Sequence, residues 1–212
     1  MEDGTKRLSK DGKEIGTFFG QSTFATHAVT NEKNLIKIDK YLDLKLFGPW
    51  GCGIVTGSAT VLEGLKPKAG STIAIYGCGA VGLSAVMAAK IAGCVKIIAV
   101  DINDSRLELA KELGATDTIN SKEVDIATAV REITNGKGVN YGVESSGNSK
   151  VAKSALSALT NNGELTLIAA GYEEIGIDLN TEFLFGTKKL TGYIAGLVSS
   201  KYIVPKLIEY YR

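Results

Sequence analysis

Three glycines near the middle of the chain have the spacing of a phosphate-binding turn. Gly77, Gly79 and Gly82 form G-x-G-x-x-G between an apolar run, Thr72 to Tyr76, and a small-residue helical pattern that begins near Ala80. The first glycine permits a sharp exit from a strand, the second lets the backbone approach a pyrophosphate, and the third lets the helix pack closely. The motif alone is a weak signal in a chain with 25 glycines, so the order strand, turn, helix is its main support.

A carboxylate follows the next apolar run. Lys96 to Val100 reads KIIAV and ends in Asp101, about 20 residues beyond the turn, where a carboxylate can accept hydrogen bonds from a ribose 2′-hydroxyl. This position predicts NAD rather than NADP, because a fixed carboxylate repels a 2′-phosphate. The alternative is that Asp101 only caps the following helix. The strand, turn, helix, strand context favours the role in cofactor binding.

Strand and helix patterns alternate through the rest of the chain. We predict helices over Ser105 to Leu113, Val124 to Thr134, Ser149 to Leu159 and from Lys201 to Arg212. We predict strands over Asp117 to Ile119, Val139 to Glu144, Glu164 to Ala169 and Lys189 to Ile194. Repeated βα units with short connections imply a parallel sheet covered on both faces. The predicted fold class is therefore α/β, a doubly wound Rossmann domain.

The pattern before the glycine turn is less regular. Met1 to Gly16 is polar and predicts a loop, whereas Phe18 to Ile38 predicts a small antiparallel piece. Its strands are expected over Ser22 to Thr30 and Leu35 to Ile38. We expect a short helix over Asp39 to Leu46 and a longer one over Ile54 to Leu65. A lone hairpin is marginal in water, so the antiparallel piece needs something to pack on.

Composition excludes several classes of partner. The net charge of +1 argues against a nucleic-acid or anionic-membrane surface, and no apolar stretch is long enough to cross a bilayer. The three cysteines, Cys52, Cys78 and Cys94, contain no C-x-x-C pair, which favours a reducing compartment and a cytoplasmic location. His27, the single histidine, has no carboxylate or cysteine at local ligand spacing, so we assign it a structural or surface role.

Four motifs in the same order resemble the zinc-dependent medium-chain alcohol dehydrogenases, and most closely their aryl-alcohol or benzyl-alcohol branch. They are GPWGCGIVTGSAT (Gly48 to Thr60), GCGAVGLSA (Gly77 to Ala85), KIIAVDIN (Lys96 to Asn103) and ELGATDTIN (Glu112 to Asn120). The resemblance implies that residues 1–47 are a remnant of a GroES-like catalytic β domain with its connecting helix. Residues 48–212 would then be the NAD-binding Rossmann domain, shortened at its C-terminus.

The resemblance also assigns residues to the cofactor. It assigns the pyrophosphate to five positions of the glycine turn, Gly77, Gly79, Ala80, Val81 and Gly82. It gives the adenosine ribose to Asp101 and Arg106, and the sides of the adenine to Ser145 and Ser146. It assigns the nicotinamide to Thr56 and to the backbone of Ile168, Ala169 and Ala170. The implied partners are NAD and a small alcohol or aldehyde.

Cys52 matches one ligand of the family's catalytic zinc; the alternative is a small buried cysteine in a glycine-rich turn. The family's other ligands, a cysteine and a histidine with a neighbouring glutamate, lie upstream of the first residue of this chain, as does its structural-zinc lobe. Because a catalytic zinc needs about three protein ligands, we expect this chain to hold none and to be inactive by itself. A C-terminal stretch of the family is also expected to be missing.

Two other functions remain open at this point. One is a zinc-free medium-chain quinone reductase that uses NADPH, against which Cys52 and Asp101 both argue. The other is a module that only binds a dinucleotide or self-associates. The resemblance implies a homodimer or higher homo-oligomer joined at sheet edges, with Gly176 to Asn180 as the edge, and the alternative for that segment is a plain surface turn.

Overall fold

The structure is a computed structural model that describes residues 4–6, 8–17 and 23–212. The chain divides into two compact units, Met1–Leu42 and Asp43–Arg212. Within the described ranges, no helix is long and apolar enough to span a bilayer.

The first unit contains a β-hairpin where we expected a loop. Strand β1 (Leu8–Lys10) pairs antiparallel with β2 (Lys13–Ile15). The two residues between them, Asp11 and Gly12, both have positive φ, 51° and 73°. Positive φ at both central positions is the geometry of a type I′ turn, and Asp-Gly is a preferred pair for it. The prediction of a loop over Met1 to Gly16 was therefore wrong for these residues.

The predicted antiparallel piece is also absent from the described residues. Residues 23–30 and 35–38 form no strand, and the turn between them is a single 3₁₀ turn, Glu32–Asn34. Residues 18–22, which include the start of the predicted piece, lie outside the described ranges. The short helix expected over Asp39 to Leu46 is reduced to a 3₁₀ turn, Leu44–Leu46. The predicted strands are absent because β-forming side chains make a strand only where a partner strand is present.

The second unit alternates strands and helices as predicted. A 3₁₀ turn, Gly48–Gly51, leads into α1 (Gly53–Ala59), which continues as one π-helical segment, Thr60–Leu65. The other helices are α2 (Ala80–Ile91), α3 (Asp104–Leu113), α4 (Ile126–Ile133), α5 (Ser149–Ser157) and α6 (Ser200–Tyr211). The strands are β3 (Thr72–Tyr76), β4 (Lys96–Asp101), β5 (Asp117–Asn120), β6 (Val139–Glu144), β7 (Leu159–Leu167) and β8 (Lys189–Gly192). Asn180–Phe185 forms a second π-helical segment and Ala195–Leu197 a 3₁₀ turn.

The six strands form one parallel sheet in the order β5-β4-β3-β6-β7-β8. From β3 the chain builds outwards through β4 and β5, then returns to place β6 on the other side of β3. The strand order therefore reverses between β3 and β6, and open α/β sheets bind ligands at such a point, beyond the carboxyl ends of the strands. The doubly wound Rossmann fold predicted from the sequence is confirmed.

Apolar side chains fill both faces of the sheet. In β3, Ile73 and Ile75 point to one face and belong to the core under α2 and α3, while Ala74 and Tyr76 point to the other and belong to the core under α4 and α5. All four are fully buried. A strand buried on both faces reads as a continuous apolar run, which explains why TIAIY was recognisable in the sequence.

Candidate dinucleotide-binding site

The glycine turn leaves β3 at the crossing point of the sheet, and two of its glycines are required by the chain's own packing. Gly77 has φ of +90°, and a Cβ there would lie 3.0 Å from the Ser146 amide nitrogen. A Cβ on Gly82 would lie far inside van der Waals contact with the carbonyl oxygen of Gly77. These two positions therefore fix the turn and bring α2 close to the end of β3.

Gly79 differs from both, because a Cβ there would meet no atom of the described residues within 4 Å. Its backbone is ordinary, with φ of −76° and ψ of −173°, so packing and strain do not explain a glycine. It directly precedes α2, whose N-terminus has no side-chain capping hydrogen bond. The first amides of α2, those of Ala80, Val81 and Gly82, are the groups that a helix offers to an anion. A side chain at Gly79 would therefore point into open space beside the first turn of α2.

Asp101 ends β4 beside this turn and is 6% exposed. Its Oδ1 accepts hydrogen bonds from the amides of Ile102 (2.8 Å) and Asn103 (2.9 Å), and its Oδ2 accepts one from the Cys78 amide (2.7 Å). The Arg106 guanidinium lies 3.7 Å from Oδ2 and is half exposed. The interpretation of Asp101 as a cap of the next helix was wrong, since α3 begins after Asn103.

Ser145 lies where the end of β6 meets the glycine turn. Its hydroxyl donates to the carbonyls of Tyr76 (3.0 Å) and Gly77 (2.9 Å), and its amide donates to Tyr76 (2.8 Å). Ser146 follows and is exposed. Ser145 therefore joins the end of β6 to the end of β3 at the glycine turn, and Ser146 lies exposed next to it.

The segment Ile168–Ala170 continues β7 at the same edge of the sheet. The Ile168 amide donates to the Glu144 carbonyl at 3.0 Å, which extends the ladder by one bond past the last strand pair. Ala169 is partly exposed and Ala170 exposed. The predicted cofactor residues after β3, β4, β6 and β7 are thus together at one edge.

Helix α1 brings Thr56 and Cys52 to the first turn of α2. A Cβ on Gly57 would collide with the Val81 carbonyl and the Ser84 hydroxyl, so the two helices touch through a glycine. A Cβ on Gly53 would lie 3.9 Å from the Ala80 Cβ. Thr56 is one turn further along, partly buried, and its amide bonds the Cys52 carbonyl at 2.8 Å.

Cys52 alone does not make a zinc site. Its thiol is exposed, and the described residues contain no group of three His, Cys, Asp or Glu side chains that could hold a metal. His27 is exposed and its Nδ1 lies 3.2 Å from the Thr26 hydroxyl. One thiolate supplies one of about three protein ligands that catalytic zinc requires, so the residues described here do not fit the metal.

Sequence reasoning missed two side chains of this edge. Glu144 is 0% exposed at the end of β6, and the Tyr172 hydroxyl donates to its carboxylate from the loop after β7. Burial, followed by the Glu144 hydrogen bond, raises the pKa of Tyr172. Cys78 is likewise buried, and desolvation with the nearby Asp101 carboxylate raises the pKa of its thiol to about 12. The only sequence signal for the pair Glu144 and Tyr172 was a glutamate at the end of a predicted strand.

Three features together define a Rossmann dinucleotide-binding domain. They are the glycine turn where the strand order reverses, the helix N-terminus without a side-chain cap, and the carboxylate at the end of the next strand. A sequence profile described as "Zinc-binding dehydrogenase" matches residues 80–210. The chain belongs to this family of zinc-binding dehydrogenases. It is 40% identical over 170 residues to a probable alcohol dehydrogenase of Pseudomonas sp, across 78% of this chain and 53% of that protein.

Other relatives cover more of the chain. Alcohol dehydrogenase class-2 isozyme 2 of Oryctolagus cuniculus is 37% identical over 215 residues, across 100% of this chain and 56% of its own length. The chain thus spans about half of these two relatives. Among solved structures, benzyl alcohol dehydrogenase from Acinetobacter calcoaceticus superposes with a TM-score of 0.89 and 40% identity, covering 98% of this chain and 59% of that one. An alcohol dehydrogenase zinc-binding domain protein from Burkholderia ambifaria superposes with a TM-score of 0.87 and 45% identity. The match covers 92% of this chain and 52% of that one.

Proposed function

We propose that residues 48–212 are the NAD-binding domain of an NAD-dependent, zinc-dependent alcohol dehydrogenase, and that residues 1–47 belong to its GroES-like catalytic domain. The observation that carries the proposal is Gly79. It is a glycine that neither packing nor backbone strain requires, and it faces open space beside the buried carboxylate of Asp101.

Each part of the edge has a separate task in this proposal. The amides of Ala80, Val81 and Gly82 bind the pyrophosphate. Asp101, next to Arg106, accepts hydrogen bonds from the hydroxyls of the adenosine ribose. Ser145 and Ser146 flank the adenine. Thr56 and the backbone of Ile168–Ala170 orient the nicotinamide, which accepts a hydride when the cofactor is bound.

The substrate class comes from the relatives. Two are named alcohol dehydrogenases, and a structural neighbour with 40% identity is named benzyl alcohol dehydrogenase. We infer a primary, aromatic alcohol or its aldehyde as substrate of the whole enzyme. Cys52 would supply one zinc ligand, and the remaining ligands have to come from residues outside this chain. We therefore expect these 212 residues to bind NAD and to lack turnover of benzyl alcohol.

Calorimetric titration with NAD⁺ and, separately, NADP⁺ tests the proposal directly. Wild type is expected to bind NAD⁺ more tightly, and Asp101→Ala is expected to lose the preference. Failure to bind either dinucleotide would overturn the proposed cofactor site. Turnover of benzyl alcohol above background by the same chain would overturn the expectation that it is inactive by itself.

The two alternatives predict different results. A zinc-free quinone reductase would bind NADP⁺ more tightly, and the buried Asp101 carboxylate opposes that because it would face the 2′-phosphate. A module without chemistry would bind NAD⁺ but oxidise no alcohol, even when the chain is extended to the full length of its relatives. A longer protein that contains stoichiometric zinc and oxidises an alcohol would exclude both.

We also propose that the protein forms a homodimer or higher homo-oligomer through the outer edge of the sheet. Strand β8 pairs with β7 on one side, and among the described residues no strand pairs on its other side. Large apolar side chains near this edge are exposed, Ile194 by 87% and Phe185 by 74%. An open apolar edge of this kind is a template for pairing with another chain. Residues 176–178, within the predicted edge segment, form no strand, so we assign the edge to β8 instead.

Sedimentation equilibrium tests the dimer. Ile194→Lys combined with Phe185→Lys is expected to shift the protein towards monomer. Ile91→Lys, an exposed apolar residue at the end of α2, is the matched control and is expected to leave association unchanged. A wild-type monomer at high concentration would contradict the assignment.

We further propose a cytoplasmic location, which the three free cysteines support.

A further inference from the structure

A buried carboxylate lies beneath the two loops that follow β6 and β7. Glu144, the last residue of β6, is 0% exposed and accepts hydrogen bonds from the amides of Ser146 (2.9 Å) and Gly147 (3.1 Å) and from the Ser146 hydroxyl. Each of these donors belongs to the loop after β6. A buried carboxylate is costly unless its oxygens are bonded, and here three donors come from one loop.

The fourth donor comes from the other loop. The Tyr172 hydroxyl donates to Glu144 Oε2 and lies 3.4 Å from the Glu144 carbonyl oxygen. Tyr172 therefore connects the end of β6 to the loop after β7, two residues beyond the segment Ile168–Ala170 that we assign to the nicotinamide.

A second connection between the two loops is made by Glu173, the residue after Tyr172. The Ser149 hydroxyl donates to the Glu173 carbonyl at 3.0 Å, and the Glu173 amide donates to the Ser149 hydroxyl at 2.6 Å. Gly147 has φ of +72°, and a Cβ there would lie 2.5 Å from the Ala170 carbonyl. The loops after β6 and β7 are therefore in direct contact along their length, with Glu144 and Tyr172 at the base.

We propose that Glu144 and Tyr172 are positioning residues that hold the backbone of Ile168–Ala170 at the correct height for the nicotinamide carboxamide. The inference rests on the proposed function, because it presumes that this segment receives the nicotinamide. The pair acts through backbone and touches no substrate. Charge-assisted hydrogen bonds are the stronger class, so this link is suited to fixing one loop against the other.

The inference predicts that the two halves of the cofactor respond differently. The test compares NAD⁺ with ADP-ribose, which lacks only the nicotinamide, as ligands of the 212-residue chain. Tyr172→Phe is expected to weaken NAD⁺ binding about tenfold, the scale of one hydrogen bond to a charged group, and to leave ADP-ribose binding unchanged. Tyr202→Phe is the matched control, because it removes a phenol of α6 whose oxygen lies 3.5 Å from Glu63 Oε1.

Each other outcome overturns the inference. Unchanged NAD⁺ affinity in Tyr172→Phe, or equal losses for both ligands, rejects the positioning role while the proposed cofactor site stands. A wild-type chain that binds neither ligand rejects the proposed function and this inference together. A change in folding would also weaken binding by Tyr172→Phe. Glu144→Gln and the double variant therefore complete a double-mutant cycle, which measures the coupling between the two side chains. Losses of NAD⁺ affinity that simply add would show that the two side chains act independently, which contradicts a shared link.

Discussion

The Cys78 amide donates a 2.7 Å hydrogen bond to Asp101 Oδ2, so the carboxylate that ends β4 also holds the glycine turn that follows β3. The same side chain bonds two amides at the start of the next loop, those of Ile102 and Asn103. Asp101 therefore shapes the cleft before any cofactor enters it. Its two roles can be separated by substitutions that keep or remove the hydrogen-bond acceptor.

We predict that Asp101→Asn changes cofactor preference and lowers stability less than Asp101→Ala does. The amide oxygen still accepts hydrogen bonds, whereas the NH2 group that replaces the other oxygen cannot accept, and the negative charge that opposes a 2′-phosphate is gone. The ratio of NAD⁺ to NADP⁺ affinity is expected to fall about tenfold or more. Asp101→Ala should also lower the free energy of unfolding by about 1–3 kcal/mol, because buried amides lose their acceptor. Titration calorimetry and urea unfolding measure the two effects, and an unchanged affinity ratio in Asp101→Asn would contradict the role in discrimination.

We predict opposite behaviour for two glycines of the turn. Gly79→Val is expected to keep the stability of wild type, since its Cβ meets no described atom within 4 Å, and to weaken NAD⁺ binding more than about tenfold by occupying the pyrophosphate space. Gly82→Ala is expected to cost about 1–3 kcal/mol of stability, because its Cβ collides with the Gly77 carbonyl. Thermal unfolding with and without NAD⁺ separates the two. A Gly79→Val protein with normal NAD⁺ affinity would remove the main support for the proposed site.

Stability is predicted to fall in alkali. Burial raises the pKa of Cys78 from 9.0 to about 12, so above pH 9 the unfolded chain loses the proton before the folded one does. The free energy of unfolding then decreases as pH rises from 9 towards 12, by up to about 1.4 kcal/mol per pH unit for this group. Cys94, raised to about 11, and the raised tyrosines Tyr76 and Tyr172 act in the same direction.

Urea unfolding at about pH 8 and about pH 10.5 measures this loss. Cys78→Ala is expected to lose about 2 kcal/mol less than wild type over that interval, because the variant has no thiol to ionise. Cys52→Ala removes an exposed thiol and serves as the control, with the alkaline loss of wild type retained. Equal losses in Cys78→Ala and wild type would show that the buried thiol does not control the effect.

The cysteines should also differ in reactivity. A thiol reagent at neutral pH is expected to label one residue per folded chain, Cys52, since its side chain is exposed. Cys78 and Cys94 have raised pKa values and react slowly, because the thiolate is the reactive form. All three are expected to react in urea. Peptide mass mapping assigns the labelled residue, and rapid modification of Cys78 in folded protein would contradict the burial described for the turn.

Much of the second unit was predictable because its signals are local. Strands such as β3 and β6 are largely buried and were predicted with their exact bounds, and the predicted end of α3 at Leu113 is confirmed. The hairpin at Asp11 and Gly12 had a recognisable turn pair and was still missed, because its strands are only three residues long and exposed.

The link between Glu144 and Tyr172 was beyond sequence reasoning for a different reason. The two residues are 28 positions apart, and their contact depends on β6 and β7 being neighbours in the sheet. The second role of Asp101 was hidden in the same way, since Cys78 reaches it only because β3 and β4 are paired. Spacing along a chain identifies side chains with suitable chemistry, whereas their partners are set by the order of strands.

The close contact of α1 with α2 at Gly57, which has no side chain, has a mechanical consequence. With helix α1 seated against Val81 and Ser84, a rotation of α1 alone would drive backbone into backbone, so α1 and α2 move as one body. Thr56 and the glycine turn consequently keep their separation through any opening or closing of the cofactor edge. The side of the cleft that we assign to the nicotinamide therefore moves together with the glycine turn that we assign to the phosphates.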